Sequence, residues 1–239
     1  MKTLNSQRSI LNRLTPNVVS QLEYADWGVT PYAEAYKKQK ALFDTALERK
    51  MAHEPVCNTL IFCEHPHVIT IGKNGSDANL LFPEEILKEK QVALFRVDRG
   101  GDITYHGPGQ LVGYPILDLE SFHIGLKEYI HRIEEAIIDL LAKYNIKGER
   151  LAGATGVWID TGLPGKARKI CAIGVRSSRY VTMHGFALNV STDLDYFNLI
   201  NPCGFKDKGV TSMEKELNRE IGMEEVKKCL LNCFIHEFE

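Results

Sequence analysis

Long hydrophobic runs are missing from this sequence of 239 residues. No segment has the roughly 20 consecutive apolar residues that predict a helix crossing a bilayer. The first residues, MKTLNSQRSILNRL, also lack the continuous apolar stretch that a secretory signal requires. We therefore predict a cytoplasmic protein with no membrane partner.

An excess of positive charge and paired cysteines are missing as well. The 29 lysines and arginines face 31 aspartates and glutamates, which gives a net charge of -2. The chain as a whole therefore lacks the basic field that holds a nucleic-acid backbone. The six cysteines form no CxxC unit, and a reducing compartment keeps such residues as thiols. We predict neither a nucleic-acid partner nor structural disulfides.

The hydrophobic pattern predicts an α+β fold. Residues 1–20 are polar and aperiodic, which predicts an N-terminal arm, and residues 21–239 are predicted to form a single domain. Helical spacing of apolar residues predicts one helix that begins near Pro31, with a buried stripe that ends at Met51. It predicts a second helix from Leu126 to Tyr144. Strands joined by short turns, three of them between residues 153 and 190, favour a mixed, mostly antiparallel sheet flanked by helices.

A glycine-rich segment, RGGDITYHGPGQ, occupies residues 99–110. Glycines at this density let backbone N–H groups approach a ligand closely, and Arg99 and His106 add side-chain donors for a carbonyl or a phosphate. The alternative is a tight connector between two strands. Composition alone slightly favours the connector, because no full phosphate-binding signature is present.

Two predicted strands carry unusual residues. In KICAIGVRS, Lys169 shares a face with Cys171. An unpaired buried ammonium is costly, so Lys169 either has a partner or begins the strand and reaches solvent, and the pattern alone favours the second. In HGFALNV, Gly185, Ala187 and Asn189 form a face with little bulk, which leaves room for another backbone or a slender ligand. Close packing of a helix on this face is an equally good explanation of the spacing.

The cysteines fall into three settings. Cys203 lies in the turn NPCG, which suits a nucleophile, although a cysteine in such a turn is more often inert. Cys229 and Cys233 are one helical turn apart on an apolar stripe and are predicted to be core residues. The third setting is the group Cys63, His65 and His67. A zinc site there would need a fourth ligand that the sequence does not identify, so no metal is predicted.

In their order and content, six segments resemble the lipoyl(octanoyl) transferase family. The segments are EHPHVITIGKNG, RGGDITYHGPGQLVGYPILDL, GVWID, KICAIGV, HGFALNV and NPCG. The resemblance runs from about Tyr24 to about Gly209, and the run from RGG to PGQ is its most specific part. The family's turn usually has two prolines where this chain has Pro66 and His67. The resemblance implies a fold like that of the biotin and lipoate protein ligases.

The resemblance also implies an activity. It predicts an ATP-independent octanoyltransferase with no cofactor, which carries out the first step of endogenous protein lipoylation as one catalytic domain over residues 21–239. The implied donor is octanoyl-acyl carrier protein. The implied acceptors are lipoyl domains of 2-oxoacid dehydrogenase complexes and the glycine-cleavage H protein. Cys203 corresponds to the nucleophile that carries the acyl group as a thioester, and Lys169 to the residue that activates it.

Three segments correspond to the family's substrate-binding residues. They comprise Arg99, Gly100, Gly101, Asp102, Ile103, Thr104, Tyr105, His106, Ala172, Ile173, Gly174, Gly185, Phe186 and Ala187. Three other functions stay open: an amidotransferase that moves octanoyl between lipoyl domains, an ATP-dependent lipoate or biotin protein ligase, and a non-catalytic acyl-binding module. A cysteine nucleophile with an activating lysine argues against the ligase, because an adenylate is already activated.

Overall fold

The computed structural model describes residues 22–201 and 208–239. The predicted N-terminal arm, residues 1–20, and the predicted nucleophile Cys203 lie outside these ranges. In the two ranges that are described, every helix falls short of the length and apolarity needed to cross a bilayer.

The described residues form eleven strands and five α-helices. The strands are β1 (Leu22–Val29), β2 (Asn58–Glu64), β3 (Val68–Ile71), β4 (Ala93–Arg96), β5 (Ile103–His106), β6 (Gln110–Ile116), β7 (Glu149–Leu151), β8 (Ala154–Ile159), β9 (Arg168–Ser178), β10 (Val181–Asn189) and β11 (Gly209–Val210). The helices are α1 (Tyr32–Met51), α2 (Glu84–Glu89), α3 (Leu126–Lys143), α4 (Met213–Leu217) and α5 (Met223–Phe238).

The strands belong to two sheets. The main sheet has the order β1-β2-β6-β10-β9-β8-β7, with β11 added beside β9. Its β1–β2 and β9–β11 pairings are parallel, and the other pairings are antiparallel. The second sheet, β4-β3-β5, has one pairing of each kind. The predicted mixed, mostly antiparallel architecture with flanking helices is confirmed, although β2 and β3 belong to different sheets.

Both faces of the main sheet are covered, and the side-chain alternation of β2 shows how. Leu60 and Phe62 face the large core under α3 and α5. Ile61 and Cys63 face the opposite side, where Ala35 of α1 packs. Because successive residues of a strand point to opposite faces, a strand buried on both sides reads as a continuous apolar run. This explains the apolar run LIFC at residues 60–63.

The two long predicted helices are confirmed, with one difference in α1. Its buried stripe includes Ala35, Gln39, Phe43 and Ala46, whereas Met51 is 56% exposed. Eight residues at about 100° each rotate Met51 by roughly 80° from Phe43, which takes it off the stripe. The prediction that the stripe extends to Met51 was therefore wrong.

The C-terminal helix bears out the assignment of its cysteines. In α5, Cys233 is buried in the main core, and Cys229 is partly buried and packed against that core.

Candidate active site

A cavity lies where the second sheet and the glycine-rich loop meet β6, β9 and β10 of the main sheet. Most of the predicted site residues line it: Arg99, Gly101, Asp102, Ile103, Thr104, His106, Lys169, Ala172, Ile173, Gly174, Gly185, Phe186 and Ala187. Segments that are far apart in the sequence thus meet at one place. The remaining lining residues include several that sequence analysis missed, among them Tyr32, Gln110, Tyr114, Trp158, His184, Phe197 and Lys208.

Two predicted site residues do not line the cavity. Tyr105 is fully buried on the other side of the second sheet, where its ring stacks on Tyr196 at 5.1 Å. Its neighbours Thr104 and His106, which face the opposite way along β5, line the cavity, and Ile103 at the start of this strand does so as well. Gly100 instead donates its backbone N–H to the carbonyl of Val175 at 2.8 Å, which ties the glycine-rich loop to β9.

Lys169 lies in the cavity wall and has an aromatic partner. Its Nζ is 4.6 Å from the ring centroid of Trp158 on the adjacent strand β8. An ammonium over the face of an indole is stabilised by the ring quadrupole. Trp158 is itself held by a hydrogen bond from Nε1 to the carbonyl of Ala154 at 3.0 Å. Lys169 therefore has an aromatic partner within the site, and it is also the second residue of β9 and only half-buried, so both interpretations of its position apply.

The chain also reaches the cavity beside Lys169 through residues 208–210. Lys208, Gly209 and Val210 line it, and Val210 pairs with Lys169 in parallel register. Asn201 donates its backbone N–H to the carbonyl of Asn79 at 2.7 Å. Cys203 lies between these two anchored points in sequence and outside the described residues.

Small residues allow backbones to approach closely at this site. A Cβ added at Gly185 would lie 2.1 Å from the carbonyl oxygen of Gly113 on β6. One added at Gly174 would lie 2.8 Å from the carbonyl oxygen of Gly100. Both distances are too short for non-bonded atoms, so these positions require glycine. On the low-bulk face of β10, Ala187 packs in one buried cluster with Ala35 of α1, as the helix-packing interpretation predicts. Gly185 and Ala187 also line the cavity, and a slender ligand there stays a prediction.

Arg99 and His106 direct their donors to the protein. The Arg99 Nη2 donates to the carbonyl and the hydroxyl oxygen of Thr70 at 2.7 and 2.8 Å, and Nη1 donates to the Gly100 carbonyl at 3.1 Å. His106 Nδ1 donates to Gln110 Oε1 at 2.8 Å. Burial lowers the pKa of His106 to about 3, so the ring is neutral at pH 7. These bonds hold both side chains in the cavity wall, and contact of either residue with a ligand stays a prediction.

A buried histidine that the sequence did not indicate also lines the cavity. His184 is 2% exposed and has a φ of 62°, a left-handed conformation that is unusual for a histidine within a strand. Its Nε2 donates to Asp98 Oδ1 at 2.8 Å, and Asp98 also forms an ion pair with Arg176. Burial favours a higher pKa for Asp98, but the hydrogen bond and the charges of His184 and Arg176 hold this pKa below its usual value.

The histidines near Cys63 are engaged in hydrogen bonds. His65 donates from Nδ1 to the carbonyl of Thr30, and its Nε2 accepts from the hydroxyl of Tyr114, both at 2.6 Å. His67 lies 2.7 Å from the hydroxyl of Tyr105 in the second sheet. Within residues 22–201 and 208–239, histidine, cysteine and carboxylate side chains form no group of three that could hold a metal.

Comparison with known proteins gives a consistent result. Residues 31–235 match the lipoyl protein ligase A/B catalytic domain. An octanoyltransferase of Parabacteroides distasonis is 56% identical over 220 residues, which cover 92% of this chain and 100% of that protein. One from Bacteroides thetaiotaomicron is 59% identical over 205 residues, covering 86% and 90%.

Among solved structures, a bipartite lipoate protein ligase from Thermoplasma acidophilum superposes with a TM-score of 0.64 at 18% identity. The superposition covers 90% of this chain and 82% of that one. At this identity the likeness concerns the fold alone, and it confirms the predicted ligase-like architecture.

Proposed function

The chain belongs to the lipoyl protein ligase A/B catalytic-domain family and within it to the octanoyltransferases, and from this premise we propose how it transfers the acyl group. Octanoyl moves from acyl carrier protein to Cys203 and then to a lysine of a lipoyl domain, without ATP or a cofactor. The acceptors are lipoyl domains of 2-oxoacid dehydrogenase complexes and the glycine-cleavage H protein. One observation carries the proposal: Lys169 and residues from all three predicted substrate-binding segments line one cavity.

Chain connectivity supports the pairing of Cys203 with Lys169. Cys203 precedes Lys208 by five residues, and five extended residues span at most about 17 Å. Lys208 lines the same cavity as Lys169, and Val210 is its register partner. A connection of this length allows Cys203 to reach the Lys169 ammonium.

The first half-reaction is an exchange of thioesters. The Lys169 ammonium favours the thiolate of Cys203, which otherwise has a pKa of about 8.5. The thiolate attacks the carbonyl carbon of octanoyl-acyl carrier protein, so that one C–S bond forms and another breaks. The departing phosphopantetheine thiolate takes a proton from Lys169. The products are octanoyl-Cys203, a neutral Lys169 and the free carrier thiol.

The second half-reaction restores the pair. A neutral lysine amine of the acceptor attacks the thioester of octanoyl-Cys203 and forms a C–N bond. Lys169, now neutral, takes the proton that this amine loses. Cys203 leaves as a thiolate beside a protonated Lys169. The acceptor lysine is now octanoylated through an amide, and the enzyme has returned to its starting protonation state.

The apolar part of the cavity suits a medium-length acyl chain. Ile173, Phe186 and Phe197 contribute apolar surface to its lining. Burying an alkyl chain on such surface contributes about 0.8 kcal/mol per CH₂. The reactive carbonyl then belongs at the end of the cavity that holds Lys169 and Lys208, where cationic groups can stabilise a developing oxyanion.

The test is intact-mass analysis after mixing the protein with octanoyl-acyl carrier protein in the absence of ATP. We expect one octanoyl adduct, located on Cys203 and removed by hydroxylamine, because hydroxylamine cleaves thioesters and not amides. Cys203→Ser should fold normally and lose turnover, since a hydroxyl ionises far less readily than a thiol. An adduct on the buried Cys171, or an adduct that forms only with ATP, would refute the mechanism.

The donor distinguishes the remaining alternatives. An amidotransferase would accept octanoyl from octanoylated H protein in preference to acyl carrier protein, and a ligase would consume octanoate with ATP. A non-catalytic binding module would form no covalent adduct with any of these donors. We therefore expect acyl carrier protein to be the most efficient of the three donors under matched conditions.

A further inference from the structure

A line of buried hydrogen bonds crosses the wall of the cavity, and we call it the relay. Its side chains are, in order, those of Arg99, Thr70, His106, Gln110 and Asn189, and it ends at the carbonyl of Thr211. Each of these residues is at least nine-tenths buried. The relay therefore lies inside the protein and is protected from exchange with bulk water.

The relay begins at the glycine-rich loop. Arg99 Nη2 donates to the hydroxyl oxygen of Thr70 at 2.8 Å. The Thr70 hydroxyl is 3.4 Å from His106 Nε2, the longest link. A guanidinium can only donate, and Arg99 Nε and Nη2 donate to the Thr70 oxygen at 3.3 and 2.8 Å, so both lone pairs of that oxygen are used and its own hydrogen is left for His106. His106 Nε2 is therefore the acceptor.

The far end requires the same direction. The Thr211 carbonyl can only accept, so Asn189 Nδ2 donates to it at 2.9 Å, and Asn189 Oδ1 accepts from Gln110 Nε2 at 2.9 Å. Gln110 Oε1 then accepts from His106 Nδ1 at 2.8 Å. Both ends thus require one tautomer of His106, with its hydrogen on Nδ1.

The relay connects the two walls of the cavity. It starts on the loop that contains Arg99, passes through β3, β5, β6 and β10, and ends at the residue after β11. The N–H of that residue, Thr211, donates to the carbonyl of Lys169 at 3.0 Å. The relay thus joins the loop to the backbone of Lys169 by a route separate from the direct hydrogen bond between Gly100 and Val175.

We propose that Thr70 and His106 are positioning residues, which act through the relay to place Lys169 relative to the glycine-rich loop. The proposal rests on the function proposed above, in which Lys169 exchanges protons with the reacting groups. Thr70 does not line the cavity, so any effect of its hydroxyl on turnover passes through other residues. The low pKa of His106, caused mainly by burial, keeps the ring neutral and the relay intact at working pH.

The test uses two variants of one residue. Thr70→Val keeps the shape of the side chain and removes the hydroxyl, whereas Thr70→Ser keeps the hydroxyl. We expect Thr70→Val to lower kcat by about 10- to 100-fold at nearly unchanged KM, because misplacing a catalytic group affects the chemical step. Thr70→Ser should stay within about threefold of wild type, because its relay remains complete.

A second measurement determines which nitrogen of His106 carries the hydrogen. Long-range ¹H–¹⁵N spectra of histidine should show His106 as the Nδ1–H tautomer in all three proteins, because the Gln110 link remains. The Nε2 resonance should differ from the wild type in Thr70→Val alone, because only this variant loses the hydrogen bond from residue 70. A wild-type spectrum with the hydrogen on Nε2 would overturn the proposal, and this result needs no variant to fold. Equal loss of kcat in both variants, or full turnover in Thr70→Val, would also overturn it.

A third measurement separates this inference from the proposed function. An amine-reactive probe is quantified on the peptide that contains Lys169, with no acyl donor present. The rate of labelling should differ between Thr70→Val and the other two proteins if the relay places Lys169. Should the wild type fail to take octanoyl from acyl carrier protein, the proposed reaction is wrong, and the tautomer and the labelling rates still decide the relay. Equal labelling in all three proteins would contradict it.

Discussion

Replacing His106 with asparagine should change how the stability of the protein depends on pH. In the wild type the ring is buried, and its pKa falls to about 3, chiefly because of desolvation and also because His65 lies beside it. In the unfolded chain the pKa returns to about 6.5. The unfolded state therefore binds a proton first as the pH falls, so the free energy of unfolding decreases below pH 6.5. Asparagine cannot take up this proton.

The size of the effect follows from the two pKa values. At pH 5 the unfolded histidine is almost fully protonated and the folded one almost fully neutral. Between pH 6.5 and pH 5 the free energy of unfolding of the wild type should therefore fall by about 2 kcal/mol through this group, because each of these roughly 1.5 pH units contributes about 1.36 kcal/mol. His106→Asn keeps a donor near the Nδ1 position for Gln110 and loses the acceptor for Thr70. We expect it to be less stable than the wild type at pH 7.5, by about 1–3 kcal/mol.

The measurement is urea unfolding of both proteins from pH 7.5 to pH 5, followed by tryptophan fluorescence. Other groups that titrate in this range, including His65 and His184, are present in both proteins and largely cancel in the difference. We expect the difference in free energy of unfolding between the wild type and His106→Asn, the stability gap, to decrease by about 2 kcal/mol from pH 7.5 to pH 5. A gap that stays constant would mean that His106 titrates alike in the folded and unfolded states, and would refute its assignment as a buried neutral ring.

Three further predictions concern the cavity and the core. Lys169→Met should move alkylation of Cys203 by iodoacetamide to higher pH, because loss of a nearby cation raises the thiol pKa, whereas Lys169→Arg should keep much of the thiolate but fail in transfer to the acceptor amine. An unchanged alkylation profile in a folded Lys169→Met protein would show that the two side chains are not paired. Gly185→Ala should cost about 1–3 kcal/mol or more in thermal unfolding, since its Cβ meets a backbone carbonyl at 2.1 Å, and wild-type stability would contradict this packing. Cys233→Ala should lower stability by about 1 kcal/mol and leave acyl transfer intact, and a selective loss of transfer would argue against a core role.

Much of the fold could be predicted from the sequence, because local patterns encode it. The spacing of apolar residues predicted the helices that begin at Tyr32 and Leu126. Turn residues predicted the three consecutive antiparallel strands from β8 to β10. The alternation within β2 was harder to interpret, because both of its faces are buried and its residues 60–63, LIFC, are all apolar. Separation of β2 and β3 into two sheets depends on pairing between distant strands, which a local pattern does not carry.

The candidate active site was likewise predictable only in part from the sequence. Its glycines, the lysine on β9 and the low-bulk face of β10 were visible in the sequence as unusual residues for their positions. Asp98 and His184 were not, since they are 86 residues apart and each alone is an ordinary polar residue. The aromatic partner of Lys169, Trp158 on β8, was not visible in the sequence either, because it comes from pairing between strands.

The sequence alone thus determined which residues form strands and helices and which segments are chemically unusual, because these depend on neighbours within a few positions. Only the tertiary structure decided which contacts those segments make with each other. Arg99 and His106 carry donors in any conformation, but folding directs them to Thr70 and Gln110. The physical reason is that a buried polar group must find a partner, and that partner is chosen by which strands pair across the sheets.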